Sequence, residues 1–326
     1  MPRVIEFDRF GGPEVLQVRD ADLPDPADGE VRVRIEAFAI NPLDVMARSG
    51  QAPAPVPLPR ARLGVEATGV VDALGAGVSA MHVGDPVIIA AVPDAAAHGT
   101  YADYVTVPTD RLLPRPPQLD VPEAAAVWVA YSTAYGALVE TAGMRAGDQV
   151  VITAASGAVG RAAVQLADYS GAHPIAITRS TAKSESLRRA GAAVVVATDA
   201  EDLVAAVARR TEGRGADIAL DLVGGPGVDD IARATRPGGS LILAGFLDPR
   251  PAPLPYAPVT LRRYRSFDHT LDPIVVRRMA SFLDAATRAG ALRPRIERIF
   301  PIDRIADAHA HLASARHQGG KIVVTT

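Results

Sequence analysis

Cysteine is absent from all 326 residues. Disulfides, thiolate-ligated zinc and a cysteine nucleophile are therefore excluded. An excess of one charge is lacking too: 34 Lys and Arg stand against 37 Asp and Glu, a formal net charge of −3. A nucleic-acid partner would call for a concentrated basic surface instead. No stretch reaches the roughly 18 uninterrupted apolar residues of a membrane span. The N-terminal MPRVIEFDRFGGPEVLQV carries acids early and has no apolar secretion core, so a cytoplasmic protein is expected. Internal repeats and low-complexity segments are missing as well. What is present is a soluble balance, 48% hydrophobic and 22% charged residues. The length suits two domains of roughly 100–200 residues each.

The texture changes along the chain. Residues 1–122 carry short apolar or alternating runs, such as Val31-Arg-Val-Arg-Ile35, punctuated by Gly11-Gly12-Pro13 and Gly84-Asp85-Pro86. That pattern predicts a β-rich barrel or sandwich. Pro53, Pro55, Pro57 and Pro59 predict a stiff, extended loop. From Pro122 an Ala-rich helical stretch, 123–141, leads into β-branched runs at 149–153, 174–178, 193–196, 218–222 and 240–244. Helical segments separate these runs, which predicts an α/β unit with a parallel, doubly wound sheet. The chain closes with a helix at 273–290, a strand at 297–302, another helix and a last strand at 321–325.

The segment Val150-Val-Ile-Thr-Ala-Ala-Ser-Gly-Ala-Val-Gly160 runs from a strand through a turn into a helix. Ala154, Gly157 and Gly160 occupy the three positions of a GxGxxG fingerprint. Ser156, Gly157, Ala158 and Val159 would then face the pyrophosphate of a dinucleotide at the helix N-terminus. A tight strand–helix turn explains the glycines equally well when they are taken alone; the surrounding βαβ pattern favours the nucleotide. The end of the next strand, Ile177-Thr-Arg-Ser-Thr-Ala-Lys183, has no acid to hold a ribose 2′-hydroxyl. Thr178, Arg179, Ser180 and Lys183 fit the 2′-phosphate of NADPH instead. A solvated basic helix start is the alternative, but cations there oppose the helix dipole.

Taken in order, Asn41-Pro-Leu-Asp44, Leu63-Gly-Val-Glu-Ala-Thr-Gly69, Val83-Gly-Asp-Pro-Val87, His98-Gly-Thr-Tyr-Ala102, Thr133-Ala-Tyr, the turn at 154–160, Pro237-Gly-Gly239 and Gly320-Lys-Ile-Val-Val are more specific than any one of them. This order resembles the medium-chain dehydrogenase/reductase superfamily along the whole chain, and in particular its zinc-free, quinone-oxidoreductase (zeta-crystallin-like) branch. The resemblance implies a Rossmann domain at 123–268. A GroES-like catalytic domain would be built from 1–122 and the returning segment 269–326. It also implies that Asn41 lies beside the nicotinamide ribose and Thr133 near the carboxamide. Leu222, Val223, Ala244, Gly245 and Phe246 would cover the cofactor, with Lys321 of the closing motif among the cofactor residues. Asp44, Arg48 and Glu66 are expected to hold this region together, since buried charges need partners. Similar proteins dimerise by joining sheets edge to edge, which would use the strand near 241–244.

Zinc-dependent members of the superfamily have ligands at positions that hold Asn41 and Val65 here, so no metal is expected. His309 and His311, two apart on a helix, do not share a face that could bind one. The implied activity is hydride transfer from NADPH to a quinone or conjugated enone, in an apolar pocket drawn from Met46, the 52–59 loop, Val92, Trp128, Tyr131 and Phe267. No acid is assigned by resemblance. Tyr131 and Tyr101 offer hydroxyls, although a buried tyrosine with a hydrogen-bonded hydroxyl is the alternative for each. Two rival readings are an enoyl-thioester or polyketide enoyl reductase, and a non-catalytic structural or RNA-binding protein that keeps NADPH. Met46 and Ala52 stand where similar quinone reductases often carry tyrosines, and mitochondrial-type enoyl-thioester reductases have their proton-donating tyrosine at the position of Ala52, which lowers the first; NADPH oxidation with any acceptor separates the second.

Overall fold

The alternating run that begins at Val31 and the continuous apolar run that begins at Val150 end up in two different sheets. The computed structural model describes residues 1–90, 92, 94–314 and 318–326. It divides into two units, Met1–Val129 with Arg293–Thr326, and Ala130–Leu292.

In the first unit Glu30–Ile40 is the central strand. Val31, Val33 and Ile35 are buried while Arg34 faces outward, the period of two expected of a half-buried strand. The seven-stranded sheet runs Ile296–Pro301, Lys321–Thr325, Glu30–Ile40, Glu66–Leu74, Pro86–Ala90, Leu112–Pro114, with Tyr104–Pro108 also paired to Glu30–Ile40. The closing strand sets Ile322 opposite Ile40 and Val324 opposite Phe38. Both ends of the chain therefore build one β-rich unit, over a core that includes Phe7, Phe38, Ile89 and Val324. A short helix, Pro42–Arg48, leaves the central strand directly, with Pro42 in its first turn and Asn41 at its N-cap. Proline suits that position because its missing N–H would have no helical partner.

The second unit holds a six-stranded parallel sheet in the order Val194–Ala197, His173–Thr178, Gln149–Ile152, Ala216–Asp221, Thr235–Leu243, Thr260–Arg263. This is the doubly wound Rossmann order, in which ligands bind beyond the carboxyl ends of the strands where the winding reverses. Here that point lies between Gln149–Ile152 and Ala216–Asp221. Val150, Val151, Ile152 and Ile175 are fully buried, as strands covered on both faces require.

Three features differ from the sequence expectations. The strand Thr260–Arg263 was not anticipated; all four residues are exposed, so it has no apolar signal. Because it flanks Thr235–Leu243, the segment 241–244 is internal, and the free edge of the sheet on that side is Thr260–Arg263. The helix Pro273–Arg288 belongs to the second unit rather than to the returning segment. Its Val275, Val276, Met279 and Leu283 are buried, Phe282 packs on Tyr135 and Tyr169, and Arg278 pairs with Glu140 at 2.7 Å. Among the described residues no helix is long and apolar enough to cross a membrane.

Candidate active site

Each unit carries candidate functional residues of its own. In the second unit the chain turns at 153–157 between the strand Gln149–Ile152 and the helix Ala158–Tyr169. Ala154 adopts φ 44°, a left-handed conformation that glycine accepts more readily. A Cβ on Gly160 would lie 2.4 Å from the Ala154 carbonyl oxygen, so only glycine lets the helix sit this close. Gly157 caps the helix with extended backbone and no side-chain hydrogen bond. The first N–H groups thus lack intrahelical partners and face the turn as anion donors.

The basic segment lies alongside. Lys183 Nζ donates to Ser156 Oγ at 3.2 Å, which joins two of the residues read from separate motifs. Thr178 is buried at its strand end, Ser180 is half-buried and Arg179 is exposed. Among the described residues Arg179 makes no ion pair and Lys183 meets only that neutral hydroxyl. An acid the sequence reading passed over, Asp199, accepts from the Thr181 N–H at 3.1 Å and bonds neither cation. A dianionic phosphate suits such a donor set.

The predicted covering loop and turn are held by one carboxylate. Asp221, 1% exposed, accepts from the Thr153 hydroxyl at 2.7 Å and from the N–H groups of Val223 at 3.0 Å and Gly224 at 3.1 Å. Its carbonyl accepts from Ala244 and Gly245. The Thr153 hydroxyl in turn accepts from Leu222 at 2.8 Å. A Cβ on Gly245 would stand 1.7 Å from the Leu222 carbonyl oxygen, so loop and turn touch through glycine. Phe246 is exposed. Sequence reasoning missed Asp221 and Thr153; a polar residue closing each of two adjacent parallel strands at a winding reversal was the available signal. With its uncapped helix N-terminus, two cations without an acid and a glycine-permitted cradle, this part fits NADPH.

On the helix Val121–Tyr135, Thr133 is half-buried and its hydroxyl makes no hydrogen bond among the described residues. Tyr131 requires a correction. It is 1% exposed and its hydroxyl donates to Gln165 Oε1, so it is not a free acid. Trp128 and Val92, at 2% and 4% exposure, are likewise closed core rather than pocket lining.

In the first unit Asn41 sits where the central strand meets the helix Pro42–Arg48. Its Oδ1 accepts from Lys321 Nζ at 2.7 Å, and its Nδ2 donates to Glu66 Oε1 at 3.1 Å and to the Ala39 carbonyl at 3.3 Å. These partners fix the amide orientation. Lys321 also bonds Glu66 directly, and Glu66, fully buried, accepts from the Val129 N–H at 2.8 Å. A lone buried charge would be costly, whereas this pair is supported by further hydrogen bonds from the Asn41 amide and the Val129 N–H. Asn41 Oδ1 keeps a second lone pair and Lys321 a third N–H, groups suited to ribose hydroxyls. Asp44 accepts from the N–H of Asn41 at 2.8 Å and of Gly64 at 3.1 Å. Burial pushes its carboxyl up to about 6, against these hydrogen bonds that hold it down.

Two family models match the chain: an alcohol dehydrogenase GroES-like domain over residues 27–117 and a zinc-binding dehydrogenase domain over residues 158–279. A quinone oxidoreductase from Pseudomonas aeruginosa is 30% identical over 338 residues, covering 99% of this chain and 100% of that protein. One from Lama guanicoe is 29% identical over 327 residues, covering 99% and 97%. The crystal structure of Escherichia coli quinone oxidoreductase complexed with NADPH is 26% identical, with a TM-score of 0.89 over 100% of both chains.

Proposed function

Because the chain belongs to the quinone-oxidoreductase branch of the medium-chain dehydrogenase/reductase superfamily, we propose that it is an NADPH-dependent reductase of quinones or conjugated enones that works without zinc. The observation that carries this reading is the pair Arg179 and Lys183, which no acid among the described residues neutralises at the end of the strand His173–Thr178. When bound, NADPH supplies the hydride. Ser156, Gly157, Ala158 and Val159 hold the pyrophosphate, and Thr178, Arg179, Ser180 and Lys183 hold the 2′-phosphate. The Asp221-held segments of Leu222, Val223, Ala244, Gly245 and Phe246 cover the dinucleotide. Asn41 and Lys321 take the nicotinamide-side ribose, and the free Thr133 hydroxyl orients the carboxamide. Tyr131 drops from the set. The chain therefore presents no acid of its own in these segments, and water protonates the reduced acceptor. An acceptor that needs no Lewis acid, with its carbonyl conjugated to the reacting carbon, matches such a site.

The protein is further proposed to act in the cytoplasm as a homodimer paired through the free edge at Thr260–Arg263. Following NADPH absorbance with a benzoquinone, a cyclic enone and an enoyl-thioester in parallel tests the function. Consumption with the first two, above the thioester rate, is expected. Faster turnover of the thioester, or none with any acceptor, would reject it.

A further inference from the structure

His309 and His311, two apart on the helix Ile305–Ala313, do not share a face, yet His309 is completely buried. Its ring lies between two polar groups. Arg48 Nη1 approaches Nδ1 at 3.1 Å, and the Tyr101 hydroxyl approaches Nε2 at 3.2 Å. Tyr101, also fully buried, lies beside the Asp44 carboxyl, which its hydroxyl helps hold down.

Donor chemistry gives this chain a single direction. A guanidinium can only donate, so His309 Nδ1 must accept from Arg48. The neutral imidazole then carries its proton on Nε2 and donates to the Tyr101 oxygen. The one tyrosine O–H is left to donate to Asp44. Burial and the neighbouring Arg48 charge hold the imidazole down to about 3, so the neutral tautomer persists across the working pH range. Asp44 is then an acceptor only, and it receives the backbone N–H groups of Asn41 and Gly64. The Tyr101 ring is clamped by Phe38, stacked at 4.3 Å, and by the His309 edge at 5.7 Å.

We propose that His309 and Tyr101 are positioning residues for Asn41: an Arg48–His309–Tyr101–Asp44 relay of one-way hydrogen bonds fixes the Asn41 and Gly64 backbone, and so the Asn41 amide that Lys321 engages. The inference rests on the reading of Asn41 as a cofactor-side residue. Neither His309 nor Tyr101 touches cofactor or acceptor in this scheme; they act through Asp44.

Tyr101→Phe cuts the relay without opening a cavity, and His309→Gln keeps an acceptor for Arg48 and a donor for Tyr101. His309→Phe removes both and strands Arg48. Amide hydrogen exchange at Asn41 and Gly64 should quicken on the order of tenfold in Tyr101→Phe and His309→Phe, the loss of about one hydrogen bond. Exchange in the Rossmann strands should stay unchanged, and His309→Gln should remain near wild type. NADPH and NADH dissociation constants should both rise, by the same factor, because a ribose-side contact is common to the two. Since the groups act in series, the Tyr101→Phe/His309→Phe double variant should lose no more affinity than the worse single variant. Unchanged exchange at Asn41 and Gly64 in Tyr101→Phe would overturn the relay, as would additive losses. Should His309→Phe fail to fold, Tyr101→Phe alone decides. Quickened exchange with unaltered cofactor binding overturns the positioning role. If Asn41→Ala also leaves binding unaltered, the fault lies in the reading of Asn41 and not in the relay.

Discussion

At the scale of single residues, charge without a partner is the most informative feature. Arg179 and Lys183 were legible in the sequence because the segment around them lacks an acid; the fold brings Asp199 onto the Thr181 N–H, where it bonds neither cation. A hydrogen bond to a charged group contributes roughly 1.5–3 kcal/mol. Arg179→Ala with Lys183→Ala should thus weaken NADPH binding by at least about a hundredfold, while NADH binding changes only a few-fold. Titration of both cofactors decides, and equal losses would show that the two residues merely support the fold. Other contacts were illegible because the partners lie far apart in sequence: Lys321, itself expected among the cofactor residues, reaches Asn41 across 280 positions, and Asp221 joins a loop to a turn about which local pattern says nothing. His309 and Asp44 also leave opposite marks on stability. The native imidazole titrates near 3, below its ordinary 6.5. Its contribution is therefore present above pH 6.5 and lost as pH falls toward 3. Asp44 titrates near 6, above its ordinary 3.8. Its contribution is present below pH 3.8 and lost as pH rises through 6. In His309→Gln only the first term disappears. The stability of wild type relative to this variant should therefore shrink as pH falls from 6.5 to 4, by urea unfolding at several pH values; a constant difference would refute it.

Elements were readable where burial imposes a period. The strands Gln149–Ile152, His173–Thr178 and Lys321–Thr325 fall within a residue of their expected bounds, because a strand covered on both faces must be a short apolar run. Thr260–Arg263 was unreadable for the opposite reason: an exposed edge strand has nothing to bury. Its free backbone groups are a template for pairing, and a closed two-fold pair is the commonest way to satisfy them. Light scattering should give about twice the 34.0 kDa chain mass over a wide concentration range; a monomer throughout would reject the dimer. The contact between the Leu222 carbonyl and Gly245 offers a second test. Gly245→Ala forces loop and turn apart, and overpacking usually costs about 1–3 kcal/mol. Denaturant unfolding should show at least that loss, together with weaker NADPH binding as the Asp221-held segments shift.

For the molecule as a whole, the composition already limits the chemistry. With no cysteine in the chain, Asn41 engaged by Lys321 and Glu66, and Val65 apolar, the positions that bind zinc in related dehydrogenases offer it nothing. Purified protein should carry no stoichiometric zinc, and chelators should leave NADPH oxidation unaltered. One tightly held zinc per chain by elemental analysis would contradict this. The pairing of Lys321–Thr325 beside Glu30–Ile40 also imposes a schedule on biosynthesis. Translation delivers the two sides of that ladder far apart in time, with all of Ala130–Leu292 between them. While the ribosome is still making the later segment, the first-made sheet waits with one margin open and Asn41 without its lysine. The central unit has no such wait, since every strand it pairs lies within its own span. On stalled ribosomes of increasing chain length, protease resistance should therefore appear in the middle of the polypeptide before its beginning. Competence to reduce an acceptor should arrive only once the segment through Thr325 has left the exit tunnel.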